Sequence, residues 1–285
     1  MMDSLRLQRR FRFHFVLGIE ALREEGRSVM QFQPAPNTYQ TFKSMPDRNR
    51  FPEIPCLDDT RVVLEQPDPN ACTYIHANRV KLDKAERNYI LTQGPTQNSI
   101  EDFWRMIFQE QCTGVVMLCN YYEDGMQKCD EFFQRKTAVD HLDQHDIYTL
   151  EILPDGCSNS ILTRLAHCTT WPDKAVPSSG RMVLRLLKWM QSLDAVASVA
   201  VISGAGVGRA GTYLAIDHIC TRLFKGLDAS VREVAMEIRK QRAHAISNEL
   251  QYFFIYSTVL DYIRAKMPKY HNVVSKFFND LSQAI

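Results

Sequence analysis

The sequence predicts an α/β domain in which helices cover both sides of a central, highly twisted mixed sheet. Apolar, strand-like segments alternate along the chain with amphipathic helical patterns. The valine-rich segment 196–202 is apolar except for Ser198, as expected of a central strand that is covered on both faces. A length of 285 residues admits one large α/β domain or two domains, and no repeat or low-complexity linker marks a division.

The first half of the chain begins with a predicted amphipathic helix over residues 6–22. Its apolar run is interrupted by Arg12, His14 and Glu20 and precedes no small-residue cleavage site, so we do not interpret it as a signal peptide. Residues 34–37, with two prolines, separate this helix from the rest of the chain. The next predicted elements are strands at 59–66 and 73–80, a helix around 103–108 capped near Ser99, and a buried strand at 115–118.

The second half continues the alternation of strands and helices. Strands are expected at 147–153 and 161–168, and the polar stretch 140–146 is expected to be a solvated loop. A helix follows the serines at 178–179. Further helices are predicted at 211–224, 229–241 and 249–266, with a short amphipathic helix at 272–284.

The overall charge excludes one class of partner. The chain has 34 basic and 33 acidic side chains, a net charge of +1, so no global field attracts nucleic acid. Four arginines near the start form a local exception: Arg6, Arg9, Arg10 and Arg12. Two interpretations stay open for them, peripheral contact with anionic lipid at the inner face of the plasma membrane or an ordinary solvated helix face.

The eight cysteines indicate a reducing environment rather than a metal-binding site. None forms a CxxC pair, so we expect no zinc site, and no other metal or cofactor is expected. Most lie in apolar company, which is typical of buried free thiols in a reducing compartment and favours a cytoplasmic location. No stretch approaches the roughly 18 apolar residues that a membrane-spanning helix requires.

The most informative segment runs from the strand at 196–202 into a loop with three glycines and then a helix. Gly204, Gly206 and Gly208 allow successive backbone N–H groups to converge, and Arg209 adds a planar bidentate donor. The helix after the loop directs its positive dipole end toward the same point. The pattern predicts a cradle for a phosphate-like dianion, although a glycine-rich turn that serves only packing is the alternative. Walker and dinucleotide-binding spacings are both missing.

This loop also resembles a known signature. Residues 202–211 are similar to His-Cys-x5-Arg-Ser/Thr-Gly of the cysteine-dependent protein tyrosine phosphatases. Further matches follow the family's order from about residue 15 to 266: 49–51 with the substrate-recognition loop, 74–78 with the Tyr-Ile-Asn-Ala motif, 89–95, 102–106, 114–118, 128–129, 171–173 with the mobile acid loop, and 251–256 with the glutamine loop. The resemblance implies one tyrosine-phosphatase-like domain at 29–268. A helix at 1–28 would pack on or extend it, and a short helix at 269–285 would come after it.

The resemblance also implies roles for individual residues. In the family a thiolate attacks phosphorus while an aspartic acid protonates the leaving phenol oxygen. Ser203 stands at the nucleophile position and Asp173 at the acid position. The implied phosphate cradle comprises Ser203, Gly204, Ala205, Gly206, Val207, Gly208 and Arg209, with Glu123 orienting the arginine. The implied substrate-recognition residues are Phe51, Glu53, Lys128, Trp171 and Gln251, and Trp171 is also expected to form the hinge of the acid loop.

Six departures from the family pattern surround the implied catalytic centre. They are Ile202 for histidine, Ser203 for cysteine, Gly204 for serine, Ala210 for the hydroxyl residue, Lys174 for an aromatic residue and Ser247 for glutamine. A serine hydroxyl needs a neighbouring base to act as a nucleophile, and this loop supplies none.

The departures predict a catalytically inactive member, a pseudophosphatase. It would bind phosphotyrosine proteins or regulate a signalling partner through the retained cradle. The alternatives are a scaffold with a vestigial pocket, or a residual or engineered-inactive phosphatase.

Overall fold

An eight-stranded mixed sheet forms the centre of the fold in the computed structural model, which describes residues 18–66, 68, 70–133, 140–142, 145–194, 197–272, 275, 279 and 281. The strands are β1 (Arg61–Val63), β2 (Tyr74–Val80), β3 (Tyr89–Gln93), β4 (Cys112–Met117), β5 (Tyr122–Glu123), β6 (Met126–Gln127), β7 (Asp140–Leu142), β8 (His145–Ile152), β9 (Ile161–Cys168) and β10 (Ser198–Ser203). Strands β5 and β6 form a separate hairpin, and the others follow the order β1-β2-β3-β10-β4-β9-β8-β7.

Strand β10 lies within the parallel part of this sheet. It pairs with β3 on one side and β4 on the other, so that Val201 lies beside Leu91 and Val116. Strand β4 also pairs in parallel with β9, whereas the outer pairs are antiparallel. Because parallel strands run in the same direction, the segments that come after β3, β4, β9 and β10 all leave the sheet at one edge, where ligand sites of open α/β sheets form.

Helices flank the sheet throughout the described residues. They are α1 (Gly18–Met30), α2 (Gln40–Ser44), α3 (Ile100–Gln109), α4 (Arg181–Met190), α5 (Gly208–Phe224), α6 (Val231–Gln241) and α7 (Glu249–Lys266). Short 3₁₀ helices occur at Pro46–Arg48, Gln97–Ser99 and Pro268–Tyr270. Among the helices described here, none combines the length and apolar character needed to span a bilayer.

The two faces of β10 pack against different helices. Val199 and Val201 belong to a buried cluster that includes residues of α1, α4, α5, α6 and α7. Ala200 and Ile202 belong to a second buried cluster with residues of α3, among them Phe103. This assignment follows from the alternation of side chains along a strand. The predicted α/β fold, with a central strand covered on both faces, is therefore confirmed.

The first described helix, α1, runs from Gly18 to Met30. It continues past the amphipathic segment 6–22 and ends two residues beyond the helix expected at 1–28, and residues 1–17 lie outside the described residues. Leu22, Gly26 and Val29 are buried at a spacing of four and three residues, so one helical face continues through a segment rich in charge. Several charged side chains lie off this buried face, among them Arg23 and Glu20, which pair at 2.8 Å.

Two further segments differ from the sequence prediction. Residues 140–142 and 145–146 lie in strands and not in a solvated loop, because β7 pairs with the start of β8 and places Asp140 opposite Ile147. Hydrogen bonding to the sheet edge overrides the polar composition here, and His145 is buried opposite Cys168. The β5–β6 hairpin was not predicted either. Most of the short helix predicted at 272–284 lies outside the described residues.

Helix α1 contacts α7 through a carboxylate that accepts two tyrosine hydroxyl groups. Tyr252 and Tyr256 donate hydrogen bonds to Glu25 Oε1 at 2.6 and 2.5 Å. A Cβ atom added at Gly26 would lie 3.0 Å from the Tyr252 ring, so the two helices meet at close range. Both hydroxyl groups therefore depend on α1 for an acceptor.

We expect Glu25→Ala to lower the free energy of unfolding by about 1–3 kcal/mol, because it removes the acceptor of two tyrosine hydroxyl groups whose side chains are buried. Glu24→Ala is the matched control on the same helix: Glu24 is exposed, and its contact with Arg27 is 3.8 Å long, so its loss should cost at most about 0.5 kcal/mol. Urea unfolding followed by circular dichroism measures both. Equal effects of the two variants would contradict this account of helix docking.

Candidate functional site

The predicted phosphate cradle is the loop that joins β10 to α5. Backbone hydrogen bonds from Gly94, the residue after β3, fix the first residues of this loop. Gly94 N donates to Ser203 O at 2.9 Å and to Gly204 O at 3.1 Å. Gly206 N closes the turn by donating to Ser203 O at 3.0 Å. Helix α5 then begins at Gly208, so its positive N-terminal end lies at the loop. The loop therefore has the position and the dipole that an anion site requires.

Gly206 is the position where the loop cannot accept a side chain. Its φ angle is +68°, and a Cβ atom there would lie 2.3 Å from the carbonyl carbon of Thr92 on β3. The contact excludes a Cβ atom without movement of backbone, and the positive φ adds strain for any L-residue. Gly204 is different, because a Cβ atom would meet only the flexible Lys128 side chain, at 3.3 Å. The glycine pattern thus marks one close backbone approach rather than three equivalent ones.

A buried arginine that the sequence analysis did not identify supports the outer side of the loop. Arg242 has no exposed surface and donates to Ala205 O at 2.9 Å and to Gly206 O at 3.1 Å. It also donates to Asn78 Oδ1 at 2.8 Å on β2. Since a trans peptide places N–H opposite C=O, the carbonyl of Gly206 facing Arg242 turns the amide of Val207 toward the concave side.

His76 completes this support and has a defined tautomer. Its Nδ1 atom lies 3.1 Å from Arg242 Nη2, which can only donate, and its Nε2 atom lies 2.9 Å from Ile54 O. The ring is therefore neutral, with the proton on Nε2. Burial, together with the neighbouring charge of Arg242, lowers the pKa of His76 to about 3. The sequence comparison placed His76 in a family motif that has Asn there, but did not indicate this role.

The terminal nitrogens of Arg209 bond to partners from the β5–β6 hairpin and from the loop around Trp171 and Asp173. Its two terminal nitrogens donate to the two carboxylate oxygens of Glu123, both at 2.6 Å. Nη1 also donates to Trp171 O at 2.9 Å. Arg209 is 2% exposed, so this bidentate pair orients a buried guanidinium. The pairing that the resemblance implied for Glu123 is present in the structure.

The carboxylate of Asp173 lies between two cations of the site. Its Oδ2 atom is 2.7 Å from Lys128 Nζ, and its Oδ1 atom is 3.2 Å from Arg209 Nη2. Burial alone would raise the pKa of this carboxyl, but the hydrogen bond from Lys128 and the charge of Arg209 outweigh it and hold the pKa below its ordinary value. Asp173 is thus ionised at neutral pH and carries no proton to donate.

The environment of Ser203 contains no recognisable activating base. Ser203 is 2% exposed, and the flanking residues Ile202 and Ala210 are apolar and buried. Nearby imidazoles are used elsewhere: His76 bonds to Arg242 and Ile54, and His167 Nε2 lies 2.9 Å from Cys119 O. Among the described residues, no carboxylate or imidazole hydrogen-bonds to the Ser203 hydroxyl. The arrangement lacks the pair of nucleophile and base that hydroxyl catalysis requires.

The recognition segment around Phe51 lies beside the cradle. Lys128 Nζ is 5.9 Å from the centre of the Phe51 ring, so the ring and the Lys128–Asp173 ion pair are neighbours. Gln93 anchors the segment: it accepts from Arg50 N at 3.0 Å and donates to Arg48 O at 2.8 Å. A half-buried aromatic ring next to an anion cradle can stack on a phenyl group. Glu53 is exposed on the same segment.

Trp171 and Gln251 lie beneath the site. Trp171 is 1% exposed, its ring packs edge-on against Phe254 at 5.6 Å, and its Nε1 donates to Ala175 O. Gln251 is also 1% exposed, and its Oε1 accepts from Ser247 N at 3.0 Å. Neither side chain offers a surface to a ligand in this conformation. They contact the acid loop and the glutamine loop respectively, and the parts expected of them in substrate recognition stay predictions.

Comparison with known proteins gives a consistent result. Residues 45–261 match the sequence profile of the family described as protein-tyrosine phosphatase. The chain is 32% identical over 223 residues to receptor-type tyrosine-protein phosphatase epsilon of Homo sapiens, covering 72% of this chain and 32% of that protein. It is 31% identical over 235 residues to the eta protein of Mus musculus, with 77% and 19% covered, and 31% identical over 233 residues to a Lar-like tyrosine-protein phosphatase of Caenorhabditis elegans, with 76% and 11% covered. The chain spans about a third or less of these relatives.

We expect Gly206→Ala to destabilise the protein by about 3 kcal/mol or more, or to prevent folding, because the added methyl group meets β3 backbone at a positive φ. Gly204→Ala, in the same loop, should cost less than about 1 kcal/mol, since only the Lys128 side chain must move. Urea unfolding of the two variants beside the unaltered protein makes the comparison. A Gly206→Ala protein as stable as Gly204→Ala would show that the close approach to Thr92 is not real.

The lowered pKa of His76 predicts a pH dependence of stability. Because its pKa in the folded state lies below the value of about 6.5 in the unfolded chain, its contribution is complete above pH 6.5 and is lost as the pH falls toward 3. Between pH 6.5 and 4.5 the loss should be about 2–3 kcal/mol. His76→Asn should remove this part of the slope. His218, which is also buried with its pKa lowered to about 4, leaves a remaining slope in both proteins. If the free energy of unfolding depends on pH in the same way in the unaltered protein and in His76→Asn, the low pKa assigned to His76 is refuted.

Proposed function

The chain belongs to the protein-tyrosine phosphatase family, and from that premise we propose that it is a catalytically inactive member that binds phosphotyrosine through its retained cradle. The observation that carries this proposal is the oriented guanidinium of Arg209, held by Glu123 through two hydrogen bonds of 2.6 Å beside a nucleophile position occupied by Ser203. Binding and catalysis need different parts of such a site. The retained arginine and loop support binding, and the substituted nucleophile position argues against bond cleavage.

Loss of catalysis is supported at two separate positions. At the nucleophile position, Ser203 is a hydroxyl without a neighbouring base, whereas phosphoryl transfer to the protein requires an activated nucleophile. At the acid position, the contacts of Asp173 with Lys128 and Arg209 hold the pKa of its carboxyl below the ordinary value and so disfavour the protonated form that a general acid needs. Ala210 and Ser247 stand at positions where the family has a hydroxyl residue and a glutamine. The site therefore lacks these supporting hydroxyl and amide groups.

Retained binding is supported by charge and shape. A site with Ser203 lacks the negative charge that a thiolate would place at the cradle floor, so by Coulomb's law a phosphate dianion meets less repulsion. Arg209 and the start of α5 supply positive charge, and Phe51 supplies an aromatic ring for a phenyl group. The ligand class that combines a dianion with a phenyl ring is phosphotyrosine. A phosphotyrosine-bearing signalling protein, met in the cytoplasm, is therefore the proposed partner.

One observation favours a second function, a scaffold whose pocket no longer takes a ligand. Asp173 already offers its carboxylate to Lys128 and Arg209, so an internal anion partly satisfies the cations of the cradle. A phosphate group must displace this carboxylate before it reaches Arg209. If displacing the Asp173 carboxylate requires more free energy than phosphate binding releases, the domain acts only through other surfaces.

Calorimetry with a phosphotyrosine peptide and its unphosphorylated twin tests the proposal. We expect only the phosphorylated peptide to bind, and Asp173→Ala to bind it about tenfold more tightly, because the competing carboxylate is gone. Asp47→Ala is the matched control, since it removes an acidic group at an exposed position of the neighbouring segment. Arg209→Lys, which keeps the charge and loses the bidentate geometry, should weaken binding at least about tenfold. Equal binding of the two peptides, or none by the unaltered protein and by Asp173→Ala, rejects phosphotyrosine recognition and leaves the scaffold.

The inactive state has its own measurement, release of phosphate from the same peptide. We expect none from the unaltered protein and almost none from Ser203→Cys, because Ile202, Ala210 and Ser247 remain. Turnover that disappears in Ser203→Ala would instead identify a residual phosphatase. Robust turnover by Ser203→Cys alone would identify a site that needs only its thiol.

A further inference from the structure

A second concave site lies away from the cradle, where α4 meets the C-terminal ends of α5 and α7. The cavity has a volume of about 370 Å³. Its apolar surface is contributed by Leu184, Leu187, Cys220, Phe224, Tyr262 and Ala265. A volume of this size falls within the range of pockets that hold small molecules. Along α5, Arg209 and Phe224 are fifteen residues apart, about 22 Å at 1.5 Å per residue, so the two sites are separate.

Phe224 is the least expected side chain of this cavity. It is 76% exposed, the largest exposed fraction among the big apolar side chains of the described residues. It belongs to a helix whose other apolar residues are almost all buried, among them Ile219, Cys220 and Leu223. Single exposed apolar residues are ordinary, but one that borders a cavity with an apolar floor adds to a continuous apolar surface.

The rim of the same cavity is basic. Arg181, Arg185 and Lys188 succeed one another at a spacing of four and three residues, which places them on one face of α4. Lys266 lies across the cavity on α7. Within the described part of the chain, no acidic side chain forms an ion pair with Lys188 or Lys266, whereas Asp261 of α7 pairs with Arg264 and interacts electrostatically with Arg181. Positive charge therefore faces the cavity from two helices.

We propose that this cavity binds a small anionic amphiphile of the fatty-acid class, with its alkyl chain on the apolar floor and its carboxylate between the α4 and α7 cations. The apolar floor favours hydrocarbon, at about 0.8 kcal/mol for each buried methylene. The rim selects a negative head group over a neutral or positive one. A folded protein partner needs roughly 800 Å² of surface on each side, far more than this cavity offers. The proposal is independent of phosphotyrosine binding.

Titration calorimetry with monomeric dodecanoate, kept below its micelle-forming concentration, tests the proposal on the full chain. We expect binding of one molecule, and binding of dodecyltrimethylammonium, with the same chain and the opposite charge, at least about tenfold weaker. Lys188→Glu with Lys266→Glu should weaken dodecanoate binding at least about tenfold. Ala265→Trp should abolish it by filling the cavity.

The matched control is Lys81→Glu with Lys240→Glu, which makes the same change in net charge at exposed positions that do not line the cavity. All variants are exposed substitutions, and thermal unfolding verifies that they fold. Dodecanoate binding that is equal in every variant, or equal for the two head-group charges, overturns the proposal. So does sedimentation with phosphatidylserine vesicles in the absence of dodecanoate binding, which would assign the basic rim to a membrane surface. Phosphotyrosine peptide binding should stay the same in these variants, so failure here is distinguishable from failure of the proposed function.

Discussion

The buried guanidinium of Arg242 is the interaction on which the site depends. It has no exposed surface and connects strand β2, through Asn78 and His76, with the carbonyls of Ala205 and Gly206. A buried cation without enough acceptors would be costly, and these four acceptors offset that cost only while the cradle loop keeps its shape. Arg242 therefore couples the conformation of the loop to the folding of the domain. The close approach of Gly206 to β3 adds a steric reason for the same shape.

This dependence bears on the proposed function, because the contacts that shape the cradle are separate from the substituted positions. In the resemblance, Ile202, Ser203 and Ala210 replace residues that act on the phosphate or support the nucleophile. None of them contributes a hydrogen-bonding side chain to the contacts of Arg242, Gly206 or Arg209. The loop is held from its outer side and by backbone hydrogen bonds, and these contacts do not involve the side chains of Ile202, Ser203 and Ala210. Under the proposed function, substitutions at these three positions would change reactivity while the contacts that shape the loop are kept.

Much of this arrangement was predictable from the sequence, and the failures have physical reasons. The apolar run before the glycines predicted the central strand, and the order of motifs predicted which loops meet at the sheet edge. Arg242 and His76 were missed because their role depends on contacts across more than 160 positions of the chain. The loop predicted at 140–146 was wrong, because pairing at a sheet edge can hold polar residues in a strand although no local pattern indicates one. Asp173 was expected in the site, but its simultaneous contact with Lys128 and Arg209 required the three-dimensional arrangement.

A net charge of +1 conceals two local positive regions that differ in physical character. In the cradle, Arg209 and Lys128 are buried and already face the carboxylates of Glu123 and Asp173, so an incoming anion must exchange with an internal one. At the α4–α7 cavity, Lys188 and Lys266 are exposed, and solvent ions are their competitors. Interactions of the exposed group weaken with ionic strength over a screening distance of about 8–10 Å, whereas a buried bidentate pair is screened much less. For the two proposed ligands, selectivity in the cradle would thus come from geometry and internal exchange, and selectivity at the cavity from the apolar floor together with charge.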